Sequence, residues 1–300
     1  MYVVWRGRVL FMSIEITITQ KGLVKSAMPF DVIRGDLEYG EYDGLRLDPG
    51  KIGDEEFVLY NPSHIARGFS VVWTKSEKNQ IYLRLPLPSC AEEIDDFYDT
   101  VVRIAGRWKN CSIDQDGSII DLSAIPEWRE SMKEYSLQAL KQFCRENDGN
   151  LTLFCAFWPL VFGPDEKQIF ADAADLSGYR DFLHEKQSVE LYYAMPSFYQ
   201  GPDGIFGNYT LTEDVESIFP VSPYVPFGVV DPDTNEPLAV PSWYVTFYSI
   251  TKDEALGQIS YGDFVNEIGS GEYYDAENII IKPVPLARME EIIQQFGIEL

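Results

Sequence analysis

The spacing of apolar and polar positions changes period several times along the chain, and each change marks an element. Ser13-Ile14-Glu15-Ile16-Thr17-Ile18-Thr19 alternates with a period of two, which predicts a half-buried strand over 14–19. The runs 68–73 (GFSVVW) and 80–85 (QIYLRL) flank the polar stretch 74–79, the pattern of a β-hairpin with a longer loop. Over 90–108 the period becomes helical. Ile94, Phe97, Tyr98, Val101, Val102, Ala105 and Trp108 share one face, while Asp95, Asp96, Asp99 and Arg103 face away. Ser89 and Glu92, placed after Pro86 and Pro88, read as a capping box for this helix. The segment 112–122 turns at Asp116-Gly117 as a hairpin. Pro126 opens a second helix to about Glu146, closed by Asn147-Asp148-Gly149-Asn150.

The second half begins with 151–162 (LTLFCAFWPLVF), a buried strand interrupted by Pro159, followed by a helix over about 165–185 and a strand over 189–195. The acidic, glycine-rich stretch 31–53 reads as loop with short helical turns. The proline-rich segment 196–241 is too long for a structureless loop in a compact domain, so short strands and a helical turn after Thr212 are expected there. Residues 243–250 (WYVTFYSI) form a strand, Ser260 and Asp263 cap a helix through Ile268, and a strand at 278–282 precedes a closing helix at 287–296.

These elements predict an α+β fold with mixed or antiparallel sheets and amphipathic helices packed on one face. A loose internal echo suggests a duplicated β-β-α unit. Ile81-Tyr82-Leu83-Arg84, prolines, then Glu92-Glu93-Ile94 and Phe97 compare with Ile279-Ile280-Ile281-Lys282, prolines, then Glu290-Glu291-Ile292 and Phe296. Acidic residues favouring the first turn of any helix account for it equally well. Two α+β halves, 12–147 and 148–300, meet near Asn147–Asn150, or form one continuous domain. Residues 1–11 interrupt an apolar stretch with Arg6 and Arg8, unlike a signal peptide. They read as an upstream extension before a start at Met12, or as a first pair of strands (VVW and VLF).

Composition narrows the function classes. The chain carries 48 acidic and 24 basic residues, a net charge of −24, yet 45% of it is hydrophobic and 14% aromatic. Such a chain folds around a core and presents a negative surface. Phosphate backbones and anionic membranes demand clustered Lys and Arg, so neither is an expected partner. No uncharged apolar run nears the ~20 residues of a membrane span. The four cysteines, Cys90, Cys111, Cys144 and Cys155, contain no C-x-x-C pair and read as free thiols in a reducing cytoplasm.

Familiar catalytic motifs are missing: no G-x-x-x-x-G-K-[ST], no G-x-G-x-x-G, no G-x-S-x-G. Gly201, Gly204 and Gly207 are turn glycines. Only His64 and His184 are present; His184, near a helix C-terminus, suits the dipole as a positive ring, and His64 reads as a loop residue. Cys90, at a helix N-terminus with His64 as a conceivable partner, is the one candidate nucleophile, opposed by Glu92 and Glu93. Asp114 and Asp116, and again Asp231, Asp233 and Asn235, imitate calcium loops but lack the turn glycine or the final Glu at the required place. No metal or cofactor is expected.

Arg67-Gly68-Phe69, the strand IYLRLPLPS, the helix EEIDDFYDTVVRIAGRW and the strand pair around DQDG together resemble an uncharacterised bacterial family known only as a domain of unknown function. The resemblance extends over Met12 to Leu300, the extension before Met12 being a departure. It implies no activity and no site residues. Two functions stand open. One is a non-enzymatic acidic binding protein, an inhibitor, immunity or accessory factor for a basic protein. Its interface would comprise Asp54, Glu55 and Glu56 with Glu92, Asp95, Asp96 and Asp99. The other is an enzyme of hydrolytic type, using cleft carboxylates under 196–241. The absent motifs weigh against the enzyme.

Overall fold

The computed structural model describes residues 2–5, 8–11, 13–43, 46–53, 56–73, 79–146, 149–202, 204–226, 228–231, 234–269 and 271–298. The fold is α+β. The chain divides into two compact units, Met1–Val189 and Glu190–Leu300.

The first unit contains, in order, β1 (Tyr2–Trp5), β2 (Arg8–Phe11), β3 (Ser13–Gln20), α1 (Phe30–Arg34), β4 (Glu38–Asp43), β5 (Arg46–Pro49), β6 (Glu56–Tyr60), β7 (Phe69–Val72) and β8 (Gln80–Pro86). It continues with α2 (Ala91–Trp108), β9 (Cys111–Gln115), β10 (Ser118–Ile120), α3 (Ile125–Glu146), β11 (Leu151–Leu153), β12 (Leu160–Phe162), α4 (Pro164–Phe170) and α5 (Ser177–Gln187). Eight strands form one antiparallel sheet in the order β10-β9-β3-β8-β7-β6-β4-β5. Because side chains alternate across a strand, Ile14, Ile16 and Ile18 all enter the core from β3, and Ile81, Leu83 and Leu85 do so from β8. The apolar stripe of α2 covers that face, with Ile94, Phe97, Tyr98, Val101 and Ile104 fully buried. Phe97 meets Phe69 of β7 edge-on at 5.4 Å.

Several sequence expectations are corrected. The α2 capping box is displaced by one residue: Cys90 is the N-cap and Glu93 reaches back to its N–H, while the Ser89 hydroxyl donates to the Pro86 carbonyl at 2.5 Å. Val102 lies off the apolar stripe and is partly exposed; Ile104 takes the core position. Arg103 does not point to solvent. It donates to the Val32 and Ile33 carbonyls at 2.7 and 2.8 Å, so a cation closes the C-terminal end of α1. The stretch 31–53 holds most of α1, the strand β4 and the edge strand β5, and 151–162 holds a short antiparallel pair. The helix expected at 165–185 is two helices, α4 and α5. Tyr2–Trp5 and Arg8–Phe11 form an antiparallel strand pair; Arg6, Gly7 and Met12 lie outside the described residues.

The units part at Val189 rather than near Asn147–Asn150, of which Asn147 and Asp148 lie outside the described residues. The reason is that the segment 151–187 is bound to the first unit. Gln187 of α5 receives the Phe157 N–H at 2.8 Å and donates to the Trp158 carbonyl at 3.1 Å, and the Tyr179 hydroxyl donates to the Pro88 carbonyl at 3.2 Å.

The second unit contains β13 (Tyr192–Tyr193), β14 (Ser197–Gly201), β15 (Gly204–Thr212), β16 (Ser217–Pro220), β17 (Ser242–Ser249), β18 (Glu254–Ser260), α6 (Tyr261–Ile268), β19 (Glu272–Tyr273), β20 (Asn278–Ile281) and α7 (Leu286–Phe296). Two mixed sheets, β13-β16-β20-β19 and β14-β15-β17-β18, share one core with α6 and α7. Thus 196–241 supplies strands to both sheets. Ser260 accepts the Asp263 N–H at 3.1 Å, capping α6 as expected. Gly207 on β15 lies against the Trp243 ring, where an added Cβ would stand 2.3 Å from ring carbons.

Candidate functional site

The N-terminal turn of α2 is the convergence point of the first unit. Glu93 is buried, and its carboxylate accepts the Gly68 N–H at 2.6 Å and the Cys90 N–H at 3.4 Å. Arg67, also buried, donates to the Phe154 carbonyl at 3.0 Å and the Pro88 carbonyl at 3.1 Å. Gly68 carries φ +67°, and a Cβ there would meet Val58 Cγ1 at 2.7 Å, so only glycine presents this N–H to the carboxylate without strain. Burial raises the Glu93 pKa, against the lowering effects of the Gly68 N–H and the nearby Arg67 charge. The Arg67-Gly68-Phe69 motif is therefore a fastening between the β6–β7 connection and α2. Cys90 is fully buried; desolvation first and Glu93 second push its thiol well above the usual range. This is the setting of an inert thiol, which removes Cys90 as a nucleophile.

The two histidines lie against the same connection. His64 Nε2 is 2.8 Å from Asp96 Oδ2, Asn61 Nδ2 donates to that same oxygen at 3.1 Å, and Ser63 Oγ lies 3.2 Å from His64 Nδ1. Serine, histidine and aspartate are thus in series, but the proton count is not that of a hydrolase triad. The Ser63 hydroxyl donates to Asn61 Oδ1 at 2.7 Å, so it accepts from a protonated His64 rather than yielding its proton. When His64 is protonated, the result is a closed hydrogen-bonded ring around its imidazole. His184 Nδ1 accepts the Ile65 N–H at 3.0 Å, and the Ser188 hydroxyl lies 3.2 Å from the same nitrogen.

The hydrogen bond to Asp96 raises the His64 pKa; burial lowers it, and Asp96, Glu92 and Glu93 of α2 add attraction. The folded pKa thus exceeds the unfolded value of about 6.5. The ring contributes full stability below that unfolded value and loses it as pH rises through the folded pKa. The difference in urea midpoint between the native chain and His64→Gln should be larger at pH 5.5 than at pH 8.5. An equal difference at both would contradict the charged ring.

The anticipated acidic interface is otherwise disposed. Glu92 pairs with Arg180 at 2.5 Å. Asp95 pairs with Lys133 at 2.8 Å and Arg129 at 3.4 Å, Asp99 pairs with Arg129, and Asp96 holds His64. The negative face of α2 is consequently covered by cations of α3, α5 and the 61–65 connection rather than presented free. Glu56 opens β6 and is exposed; Asp54 and Glu55 lie outside the described residues.

Uncompensated charge lies elsewhere. Residues 190–300 hold 18 acidic and 3 basic side chains, a net −15, which leaves 30 acidic and 21 basic, a net −9, to residues 1–189. All three cations of the second unit are engaged: Lys252 with Glu290 at 2.6 Å, Lys282 with Glu216 at 2.7 Å, and Arg288 with Glu267 at 2.8 Å. Glu190, Glu236, Glu254 and Glu272 are exposed. Some carboxylates are structural: Glu213 binds Ser249 and Thr251 hydroxyls, each at 2.6 Å, and Asp275 receives the Asn278 N–H and side-chain amide.

The imitation calcium loops are turns. Asp114 Oδ1 receives the Gly117 N–H and Asp231 Oδ1 the Thr234 N–H; Asp233 lies outside the described residues. Among the described residues no three histidine, cysteine or carboxylate side chains are grouped to hold a metal ion. No helix among them is long and apolar enough to cross a membrane.

No curated protein matches the chain, and no solved structure does. A family described as "Domain of unknown function (DUF4299)" matches residues 13–292, a span that includes the Arg67–Glu93 fastening, the histidine ring and nearly all of the acidic second unit. The chain belongs to the DUF4299 family.

Proposed function

We propose that this is a non-enzymatic binding protein whose acidic second unit engages a basic protein partner in the bacterial cytoplasm, as an inhibitor, immunity or accessory factor. The observation that carries this reading is the segregation of charge. A net −15 on residues 190–300, with every cation there already paired, leaves an uncompensated negative field. A field of that sign steers basic proteins and repels nucleic acid and anionic lipid. The four cysteines form no disulfide and three of them are buried, which suits a reducing compartment. Cys90 is sealed and Ser63 is turned to Asn61, so the groups best placed for nucleophilic chemistry are committed to structure.

Steering acts on association more than on dissociation. A basic partner isolated on the immobilised chain at low salt should associate at a rate that falls steeply between about 50 and 500 mM salt, its dissociation rate changing much less. An association rate indifferent to salt would contradict an electrostatic partner surface.

A further inference from the structure

We propose that the outer face of the β14-β15-β17-β18 sheet is the docking site for an arginine- and lysine-rich segment of the partner, whose cationic groups lie on a row of aromatic rings. This rests on the reading of the second unit as the partner-binding unit. Alternation sends Tyr209, Leu211, Val245, Phe247 and Ile259 into the core. The intervening positions therefore form the opposite face. On it Tyr199 stacks on Phe206 with ring centroids 5.6 Å apart, and Phe206 meets Tyr244 edge-on, also at 5.6 Å. The row crosses three strands. Tyr199 stands opposite Phe206 in the ladder, and its side of the row is open, Tyr199 being 51% exposed.

Beside the row the face is polar and already ordered. Thr246 Oγ1 and Gln258 Nε2 both donate to Asn208 Oδ1 at 2.9 Å. Carboxylates stand at both ends: Asp253 accepts the Tyr248 hydroxyl beyond one end of β17, and Asp263 accepts the Ser260 hydroxyl beyond the other. No Lys, Arg or His occurs from residue 187 to 251, so the three strands that carry the row contribute no cation of their own. An aromatic face attracts a cation through its quadrupole, and guanidinium stacks on it while still bonding carboxylates. The open Tyr199 ring at the end of a half-buried row, flanking carboxylates and the absence of a competing cation favour a cationic chain over a neutral one.

The test uses the full chain and a nona-arginine peptide as probe, with affinity measured by titration calorimetry at low salt. Tyr199→Thr and Tyr244→Thr remove a ring without changing charge and put in a β-branched residue that suits a strand. Each should weaken binding about two- to fivefold, with the salt dependence of binding unchanged. Tyr199 is exposed on an edge strand, so its variant is informative even where Tyr244→Thr lowers the melting temperature. Unchanged affinity in Tyr199→Thr overturns the docking site. If Glu236→Lys with Glu254→Lys and Glu272→Lys still weakens binding in that case, the acidic-unit reading survives without this face. If the wild-type chain binds no nona-arginine, both fail. Tighter binding of cellohexaose than of nona-arginine, lost in Tyr199→Thr, would make the row a glycan site and overturn the proposal.

Discussion

Arg67→Ala should cost the first unit about 3–5 kcal/mol, the range for removing one partner from a buried charged pair. Arg67 is sealed among the β6–β7 connection, the Pro88 turn and the 154–158 segment, and it bonds two carbonyls there. Its removal leaves both carbonyls short of a donor and the buried Glu93 carboxylate without its nearest positive charge. Glu93→Gln should also destabilise, because its single amide oxygen can keep the Gly68 N–H but its NH2 group cannot accept the Cys90 N–H, and Arg67 loses the nearby negative charge. Urea unfolding followed by tryptophan fluorescence checks both. A loss under about 1 kcal/mol for Arg67→Ala would mean that water reaches the pair.

Phe97→Ala should cost about 3–5 kcal/mol as well, through a different mechanism. The ring is fully buried between α2 and the sheet, edge-on to Phe69 at 5.4 Å and to Tyr98 at 5.5 Å. Truncation forfeits both the transfer free energy of the ring and the contacts of the walls it leaves behind. A melting temperature equal to that of the native chain would show that the helix is not seated on the sheet as described.

Helix α2 was legible because five turns of evidence, apolar every third or fourth residue, sit in one continuous segment; only its cap and the choice between Val102 and Ile104 depended on packing. The strands at the end of the sheet were illegible for a physical reason. β5 is the edge and β4 its neighbour, and their short sequences RLDP and EYGEYD mix charge, glycine and proline where a central strand would be apolar. β18 was hidden likewise. Its sequence EALGQIS has few β-formers and a glycine at φ +153°, and its pairing with β17 is irregular at Phe247/Tyr248.

The helical wheel placed Asp95 and Asp99 away from the sheet, but nothing local announced the Arg129 and Lys133 side chains that α3 lays over them. The same holds for His64 and Asp96, 32 residues apart, and for His184 and Ile65, 119 apart. Charge segregation was written in the sequence throughout. It becomes visible only once the unit boundary is placed at Val189 rather than near Asn147.

The central claim is that the second unit, and not the α2 face, meets the basic partner. It is tested most directly by comparing two sets of charge reversals in one association assay. Glu236→Lys, Glu254→Lys and Glu272→Lys alter exposed positions of residues 190–300, whereas Asp99→Lys alters the most exposed acid of α2. The account predicts that the first set slows association with the basic partner by about tenfold or more at low salt, with the melting temperature retained, and that Asp99→Lys leaves the rate near that of the native chain. Equal slowing by both, or slowing by Asp99→Lys alone, would contradict it.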